Sequence, residues 1–269
     1  MKKILITGAN SYIGVSFENY LKNNFSGDYE IDTVDMQDAA WREISFSGYD
    51  AVFHVAGIAH VKETAQNCEL YYKVNRDLAA DVAVKAKEDG VSQFVFLSSM
   101  SVYGLETGVI TADTVPMPKT NYGKSKLQAE EKIFPLADGG FKVAVLRPPM
   151  VYGEGCKGNY QALVKIAEKF SFFADYSNKR SVIHIQRLCE FVKSIIDECK
   201  SGLFFPQDEK YACTCKMILN IAECKGRKIR LLKILNPAIS LLKLLTTKGK
   251  KAFGDLIYMM DSEQNNLLG

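Results

Sequence analysis

Ile4-Leu5-Ile6-Thr7-Gly8-Ala9-Asn10-Ser11-Tyr12-Ile13-Gly14 is a short apolar run that passes through a glycine turn into a helical pattern. This order predicts a helix start whose free backbone N–H groups and dipole favour a bound phosphate. Gly8 permits the tight turn, and Gly14 lets the helix pack closely on the strand. Ser11 stands where a third glycine is expected, and its hydroxyl can donate to a phosphate. The residues predicted to hold a diphosphate are Gly8, Asn10, Ser11, Tyr12, Ile13 and Gly14.

Asp35 lies at the end of the second apolar run, about 20 residues beyond this turn. A carboxylate at that position accepts both hydroxyls of an adenosine ribose, and its charge repels a 2′-phosphate. NAD is therefore favoured over NADP, although Arg42 opposes that preference. The alternative is an aspartate that only caps a turn.

Five short apolar runs alternate with helical patterns in the first half of the chain. We expect strands at residues 3–7, 31–34, 51–55, 94–98 and 143–147, and helices at 13–24, 70–87 and 124–134. Apolar strands separated by helices indicate a parallel sheet covered on both faces. The prediction is an α/β, doubly wound (Rossmann) fold, in which ligands bind beyond the carboxyl ends of the strands.

The pattern changes after residue 150, so we expect two parts. Residues 1–150 form the dinucleotide-binding domain, to which 180–200 return, and residues 151–269 form a small substrate-binding lobe. The segment 229–246 is leucine-rich and contains Lys233 and Lys243, which allows either peripheral membrane contact or helix packing within the lobe. Packing is favoured because Pro237 interrupts the segment.

Composition narrows the class of protein. The net charge of +3 comes without a concentrated basic stripe, which argues against nucleic acid as a partner. No apolar stretch is long enough for a membrane span, and seven scattered cysteines without an export signal indicate reduced thiols and a cytoplasmic protein. We predict no metal site: Cys213 and Cys215 are interpreted as alternating strand residues, and His54, His60 and His184 as packing or hydrogen-bonding residues.

Tyr122 and Lys126 are four residues apart in a predicted helix and therefore share one face. A nearby ammonium, together with the positive charge of an oxidised nicotinamide, lowers the pKa of a phenol, which can then exchange a proton with an alcohol near neutral pH. The same spacing is common on exposed helix faces, so its meaning depends on the surrounding motifs.

Six motifs occur in order along the chain: Thr7-Gly8…Gly14, Phe53-His54-Val55-Ala56-Gly57, Val74-Asn75, Phe96-Leu97-Ser98-Ser99-Met100-Ser101-Val102-Tyr103-Gly104, Tyr122…Lys126, and Leu146-Arg147-Pro148-Pro149-Met150-Val151-Tyr152-Gly153. Together they resemble the NAD-dependent epimerase/dehydratase family of extended short-chain dehydrogenases/reductases, typified by UDP-sugar 4-epimerases. The resemblance covers residues 1–200 and weakens beyond them.

The resemblance implies a role for each matching residue. Ser99 is the serine that hydrogen-bonds the reacting sugar hydroxyl, Tyr122 is the general acid/base, and Lys126 binds the nicotinamide ribose. Further residues matching cofactor-binding positions are Ala56, Gly57, Asn75, Ser98 and Pro148. Residues matching the positions that hold the substrate diphosphate are Asn159 and Arg180, for which a loop cap and a solvated surface charge are the alternatives. The sequence departs from the family pattern in two further ways. Residues 41–45 lack the aspartate with which many relatives bind adenine, and the small lobe has no clear second phosphate-binding arginine.

The implied activity is epimerisation at C4 of a UDP-sugar, possibly N-acetylated, for surface polysaccharide synthesis. The alternative is reduction of a nucleotide-linked 4-keto sugar by reduced cofactor, which uses the same side chains. Dehydration is disfavoured because Ser99-Met100-Ser101 replaces the Thr-Asp-Glu of dehydrating relatives. A non-catalytic cofactor sensor is the alternative from another class, disfavoured because Ser99, Tyr122 and Lys126 are all present. The resemblance also suggests a homodimer formed through the helices at 70–87 and 124–134.

Overall fold

A computed structural model describes residues 1–59, 61 and 63–260. The strands are β1 Lys2–Thr7, β2 Tyr29–Val34, β3 Ala51–His54, β4 Gln93–Leu97, β5 Gly108–Ile110, β6 Lys142–Leu146, β7 Met150–Tyr152, β8 Phe172–Ala174, β9 Val182–His184, β10 Gly202–Phe204, β11 Arg230–Leu232 and β12 Leu256–Tyr258. The α-helices are α1 Tyr12–Asn24, α2 Cys68–Tyr71, α3 Leu78–Glu88, α4 Asn121–Ile133, α5 Asn159–Lys169, α6 Ile185–Asp197, α7 Thr214–Cys224, α8 Asn236–Leu245 and α9 Thr247–Phe253. A π-helical segment, Tyr72–Asp77, joins α2 to α3 without a break.

Six strands form one parallel sheet in the order β10-β6-β4-β3-β1-β2. The chain moves from β1 outward to β2 and then returns to the other side of β1 with β3. The strand order therefore reverses between β1 and β3, and the crevice beyond their carboxyl ends is where a doubly wound sheet binds its ligand. The predicted fold class is confirmed, and each predicted strand differs from the observed one by at most two residues at either end.

Alternate strand residues point to opposite faces, and each face has its own core. Ile4 and Ile6 of β1 pack with α1 and α6, whereas Leu5 packs with α3 and α4. Val52 and Phe53 of β3 divide between the two faces in the same way. The double coverage explains why these strands are apolar throughout.

The second half of the chain contributes both to the sheet and to a smaller lobe. β10 extends the sheet beside β6, and α6 lies in the core with α1. In the smaller lobe, β8 pairs with β11, and α5 packs on α7 around Ala167, Ile218 and Ala222. Which residues form an independent domain stays a prediction.

One expectation for the second half is wrong, and another holds for part of its segment. Cys213 and Cys215 do not lie on a strand: Cys213 immediately precedes α7 and Cys215 is in its first turn. Within 229–246, Ile229 packs against α5 and α7 and β11 pairs with β8, as expected, whereas α8 contributes no fully buried residue. Within the described ranges, no helix combines the length and the apolar character that crossing a bilayer requires.

Candidate active site

The turn after β1 has the backbone that the sequence predicts. Gly8 adopts φ +112°, and a Cβ there would lie 2.7 Å from the backbone nitrogen of Ala56, so the position needs glycine. Gly14 is buried, and a Cβ on it would lie 3.1 Å from the Val55 side chain. Asn10 also has a positive φ, +65°, which asparagine tolerates better than most residues.

Ser11 explains how the chain manages without a third glycine. Its φ of −69° is open to any residue, and its hydroxyl oxygen accepts the Gly14 backbone N–H at 3.1 Å as the N-cap of α1. The hydroxyl proton remains available to a phosphate, as do the N–H groups of Tyr12 and Ile13 in the first helical turn. The Tyr12 phenol donates to the Glu154 carbonyl at 2.9 Å and so joins this turn to the loop after β7.

Asp35 directly follows β2 and is exposed, with one carboxylate oxygen accepting the Gln37 backbone N–H at 2.9 Å. The Val34 carbonyl accepts the N–H groups of Gly8 and Ala9 at 2.9 and 3.0 Å, so the phosphate turn and Asp35 are held side by side. An exposed carboxylate beside helix-start N–H groups suits an adenosine diphosphate whose ribose carries free hydroxyls. These residues fit NAD.

The catalytic candidates meet where β4 and α4 approach each other. Ser99 follows β4 and caps a 3-10 turn, Met100–Tyr103, through its hydroxyl oxygen, which accepts the Ser101 N–H at 3.1 Å. Tyr122 lies in the first turn of α4, near enough to Ser99 for that side chain to lower the pKa of its phenol. Close approach is possible because residue 123 is glycine: a Cβ there would lie 2.6 Å from the Ser101 carbonyl oxygen.

The electrostatics of Tyr122 differ from the prediction. Burial raises the pKa of the phenol, the hydrogen bond from Ser99 opposes that rise, and the nearby Tyr71 adds to it. Lys126 is not among the groups that lower the pKa of the Tyr122 phenol, contrary to the prediction.

Lys126 is 5% exposed, and burial lowers its pKa to about 8, against the opposing charge of Glu130. Its ammonium donates to the Leu97 carbonyl at 2.8 Å and lies 4.6 Å from the centre of the Phe96 ring.

Asn75 ties α4 to the loop after β3. Its side chain is fully buried; the amide nitrogen donates to the Ile58 carbonyl at 3.0 Å and to the Ser125 hydroxyl at 3.2 Å, and the amide oxygen accepts the Ile58 N–H at 2.9 Å. The same amide oxygen would lie 2.9 Å from a Cβ on Gly57. The predicted cofactor residues Ala56, Gly57 and Asn75 therefore form one wall beside Lys126.

A buried ionic cluster that sequence reasoning missed holds this wall in place. Glu130 accepts the Arg147 Nε–H at 3.1 Å and also the Ser98 hydroxyl. Arg147 in turn donates to the Tyr103 phenol at 2.8 Å. Burial disfavours the charge of Arg147, but its bonds to Glu130 outweigh that effect and raise its pKa. Glu130 is one helical turn beyond Lys126 and two beyond Tyr122, which is the signal that could have identified it.

A second missed residue is Glu63. Its carboxylate accepts the backbone N–H groups of Asn121 and Tyr122, both at 3.2 Å, which places a negative charge at the start of α4.

The backbone carbonyl of Pro148 accepts the Met100 N–H at 2.9 Å, so this predicted nicotinamide contact is anchored beside the Ser99 turn.

The predicted substrate residues, Asn159 and Arg180, lie in the second half of the chain. Asn159 is exposed at the first position of α5, and the half-buried Arg180 donates from its guanidinium to the Gly254 carbonyl at 3.0 Å. Burial lowers the pKa of Arg180, with Glu106 and Asp255 opposing the shift. Among the described residues, neither hydrogen-bonds Ser99, Tyr122 or Lys126. A cavity of about 1050 Å³ lies between α5, α7 and the segment 208–213. Neither Asn159 nor Arg180 lines it.

No cluster of three His, Cys, Asp or Glu side chains suited to a metal ion occurs in the described part of the chain. His54 is fully buried between the Phe94 and Phe96 rings and bonds Thr7 at 2.8 Å, and burial lowers its pKa to about 3. His184 caps α6 by accepting the Gln186 N–H. His60 lies outside the described residues.

Comparisons with known proteins agree with this geometry. UDP-glucose 4-epimerase from Vibrio cholerae is 28% identical over 82% of this chain and 75% of its own length. N-acetyl-alpha-D-glucosaminyl-diphospho-ditrans,octacis-undecaprenol 4-epimerase from Escherichia coli O157:H7 is 27% identical over 74% of this chain, which spans 64% of that relative. UDP-glucuronic acid 4-epimerase from Bacillus cereus in complex with NAD superposes with a TM-score of 0.73 at 18% identity, covering 99% of this chain and 92% of that one.

The family model described as the NAD dependent epimerase/dehydratase family matches residues 4–203. This match covers most of the chain, including β1, the Ser99 turn and α4. The chain belongs to the NAD-dependent epimerase/dehydratase family.

Proposed function

We propose that this protein epimerises C4 of a UDP-linked sugar, with Tyr122 as the acid/base. The observation that carries the proposal is the close approach of α4 to the turn that Ser99 caps, where a Cβ on Gly123 would lie 2.6 Å from the Ser101 carbonyl oxygen. This approach brings Ser99 and Tyr122 to the same edge of the sheet. The UDP-sugar is inferred from the relatives, two of which are named as 4-epimerases of glucose or N-acetylglucosamine derivatives.

Bound NAD supplies the acceptor, and later the donor, of the C4 hydride. Tyr122 takes the proton from the 4-hydroxyl while Ser99 hydrogen-bonds the same oxygen. Loss of this proton together with the C4 hydride leaves a 4-keto sugar. After the flat keto sugar turns over, Tyr122 returns the proton to the oxygen. Lys126 binds the nicotinamide ribose, Asp35 the adenosine ribose, and Asn159 and Arg180 the substrate diphosphate.

Protonation states support this division of work. Burial raises the pKa of the Tyr122 phenol, so the opposing effect of Ser99 and a positive nicotinamide are needed for it to act as a base. Lys126, with a pKa of about 8, is mostly charged at pH 7 and can donate to a ribose hydroxyl.

A panel of UDP-, dTDP- and GDP-sugars, each incubated with and without added NADH, tests the proposal. We expect interconversion of UDP-glucose or UDP-N-acetylglucosamine with its C4 epimer and no net consumption of NADH. Stoichiometric oxidation of NADH by a 4-keto sugar would identify a reductase instead. Cofactor binding without turnover of any sugar would identify a sensor.

We also propose that the protein acts in the cytoplasm as a homodimer formed through α3 and α4. The support is the seven free cysteines and the exposure of Leu70 and Val84 along the helix from 68 to 88, at 46% and 39%. Sedimentation equilibrium is expected to give twice the chain mass, and Val84→Glu is expected to give monomers. A monomeric wild type would contradict the proposal.

A further inference from the structure

The outward face of α8 is apolar. Leu241, Leu242, Leu244 and Leu245 are 56%, 42%, 72% and 69% exposed, and Ile234, just before the helix, is 83% exposed. Because a helix advances 100° per residue, the four leucines occupy one face of about 160°. We call these five side chains the leucine face. A continuous apolar patch of this kind marks a surface that another body covers.

The inward face of the same helix carries the half-buried Ile239 between two polar residues, Asn236 and Lys243. Asn236 donates to the Asp175 carbonyl at 2.9 Å, and the Lys243 ammonium donates to the Tyr176 phenol at 3.2 Å. A helix on the surface of a globular protein normally turns its apolar stripe inward and its polar stripe outward. The hydrogen bonds of Asn236 and Lys243 hold α8 in the opposite orientation to that of a usual surface helix. The leucine face therefore points away from the protein.

The surrounding chain is strongly basic. Residues 224–254 contain nine Lys and Arg and no Asp or Glu, which leaves 25 basic and 31 acidic residues in the rest of the chain. The modest net charge of +3 therefore divides into +9 in this segment and −6 elsewhere. Two of the nine pair with carboxylates outside the segment, Lys225 with Glu168 and Lys251 with Glu106. Lys233, Lys248 and Lys250 are exposed.

We propose that the leucine face docks this protein onto the surface of a bilayer that contains anionic lipids. An amphipathic helix that joins an apolar face to a basic rim inserts its apolar side chains at the boundary between headgroups and acyl chains, and its lysines contact acidic headgroups. A second copy of the chain fits less well, because pairing two leucine faces would bring two basic segments together.

Sedimentation with vesicles tests the docking surface. We expect the full chain to bind vesicles of phosphatidylcholine and phosphatidylglycerol at 7:3, and to bind pure phosphatidylcholine vesicles at least tenfold more weakly. The double variant Leu244→Ser/Leu245→Ser is expected to lose at least tenfold in partition coefficient. The matched control is Val115→Ser/Met117→Ser, whose side chains are 72% and 71% exposed, and it is expected to bind like the wild type.

The charge contribution is tested by a second pair of variants. Replacing Lys233, Lys248 and Lys250 by Gln is expected to weaken binding to anionic vesicles by at least tenfold. The control replaces the exposed Lys22, Lys73 and Lys124 by Gln, which lowers the net charge by the same amount at positions outside the basic segment. This variant is expected to change binding by less than threefold.

A fluorescence reporter works even if the serine variants fold poorly. The only tryptophan, Trp41, is 3% exposed and gives a constant background. A tryptophan introduced by Leu241→Trp is expected to shift its emission to the blue when anionic vesicles are added and to be quenched by brominated acyl chains. Met117→Trp is expected to show neither change.

Three results would overturn the proposal. The first is vesicle binding by the wild type that is absent or equal to that of the Leu244→Ser/Leu245→Ser variant. The second is reversible self-association that depends on the leucine face, without vesicle binding, which would assign the face to a second copy. The third is vesicle binding that begins only after residues 261–269 are deleted, which would make that segment the occupant.

Discussion

Helices α4 and α8 depart from the usual amphipathic rule in opposite directions. α4 turns polar groups inward: Ser125, Lys126 and Glu130 are at most 5% exposed, yet each has a hydrogen-bond partner. α8 turns leucines outward and buries nothing. Folding alone favours neither arrangement, because buried charge and exposed leucine both cost free energy. Such departures support our proposals that α4 meets a cofactor and a sugar and that α8 meets a lipid surface.

The largest expected effect is the loss of the Tyr122 hydroxyl. Tyr122→Phe is expected to reduce kcat by about 10²–10⁴-fold, because the acid/base group is removed while the ring still packs. The measurement is epimer formation by chromatography, with NAD binding followed in parallel as a control for folding. An unchanged rate would mean that α4 buries its polar groups for stability only.

The next largest effect concerns the ion pair behind the site. Glu130→Gln leaves the Arg147 charge buried without a counter-ion and is expected to lower the free energy of unfolding by about 3–5 kcal/mol. The exposed neighbour Glu131→Gln is the control, with an expected change within about 0.5 kcal/mol. Urea unfolding of both variants measures the difference. Equal unfolding midpoints would show that the ion pair of Glu130 with Arg147 does not stabilise the fold.

The sheet should also respond to pH through His54. Its pKa is lowered to about 3 by burial, so between pH 6.5 and 3 the unfolded chain binds a proton that the folded chain does not. The free energy of unfolding therefore falls as the pH falls through this window, by about 1.4 kcal/mol per pH unit. His54→Gln is expected to show a shallower slope between pH 6.5 and 5 in urea titrations. Parallel slopes for the two proteins would contradict the burial of a neutral His54.

The smallest expected effect is at α8. Leu245→Ala is expected to change the free energy of unfolding by less than about 0.5 kcal/mol, because its side chain is 69% exposed. Ile133→Ala, in α4, removes a side chain that is fully buried and is expected to cost about 2–5 kcal/mol. Thermal unfolding of the pair is the measurement. A large loss at Leu245 would show that the leucine face is covered by this chain itself.

Most of the fold could be predicted from local sequence. Apolar runs bounded by glycine and polar residues located β1, β3, β4 and β6 to within one residue at each end. The resemblance to the epimerase/dehydratase family is confirmed, as is NAD as the family's cofactor. A third glycine is expected at position 11, but the negative φ and the capping role of Ser11 show that the backbone of the turn does not require one.

The remaining features depend on contacts between distant segments. The helical spacing of Glu130 from Lys126 is visible locally, but its partners Arg147 and Ser98 lie 17 and 32 residues away. Glu63 caps α4 from 58 residues away, so no short window of sequence contains both partners. The spacing of Cys213 and Cys215 predicts alternating strand residues, but Cys213 is the N-cap of α7 and Thr214 begins that helix. The direction in which α8 faces depends on Asp175 and Tyr176, which the leucine-rich segment does not reveal.

Hydride transfer at C4 next to Tyr122 is the central claim, and an isotope experiment tests it most directly. The enzyme is incubated with a UDP-sugar that carries deuterium at C4, in ordinary water, and both epimers are analysed by mass spectrometry. We expect the deuterium to remain on C4 of the product, because the hydride is removed and returned within one active site. Loss of the label to solvent, or a product unchanged at C4, would contradict the account.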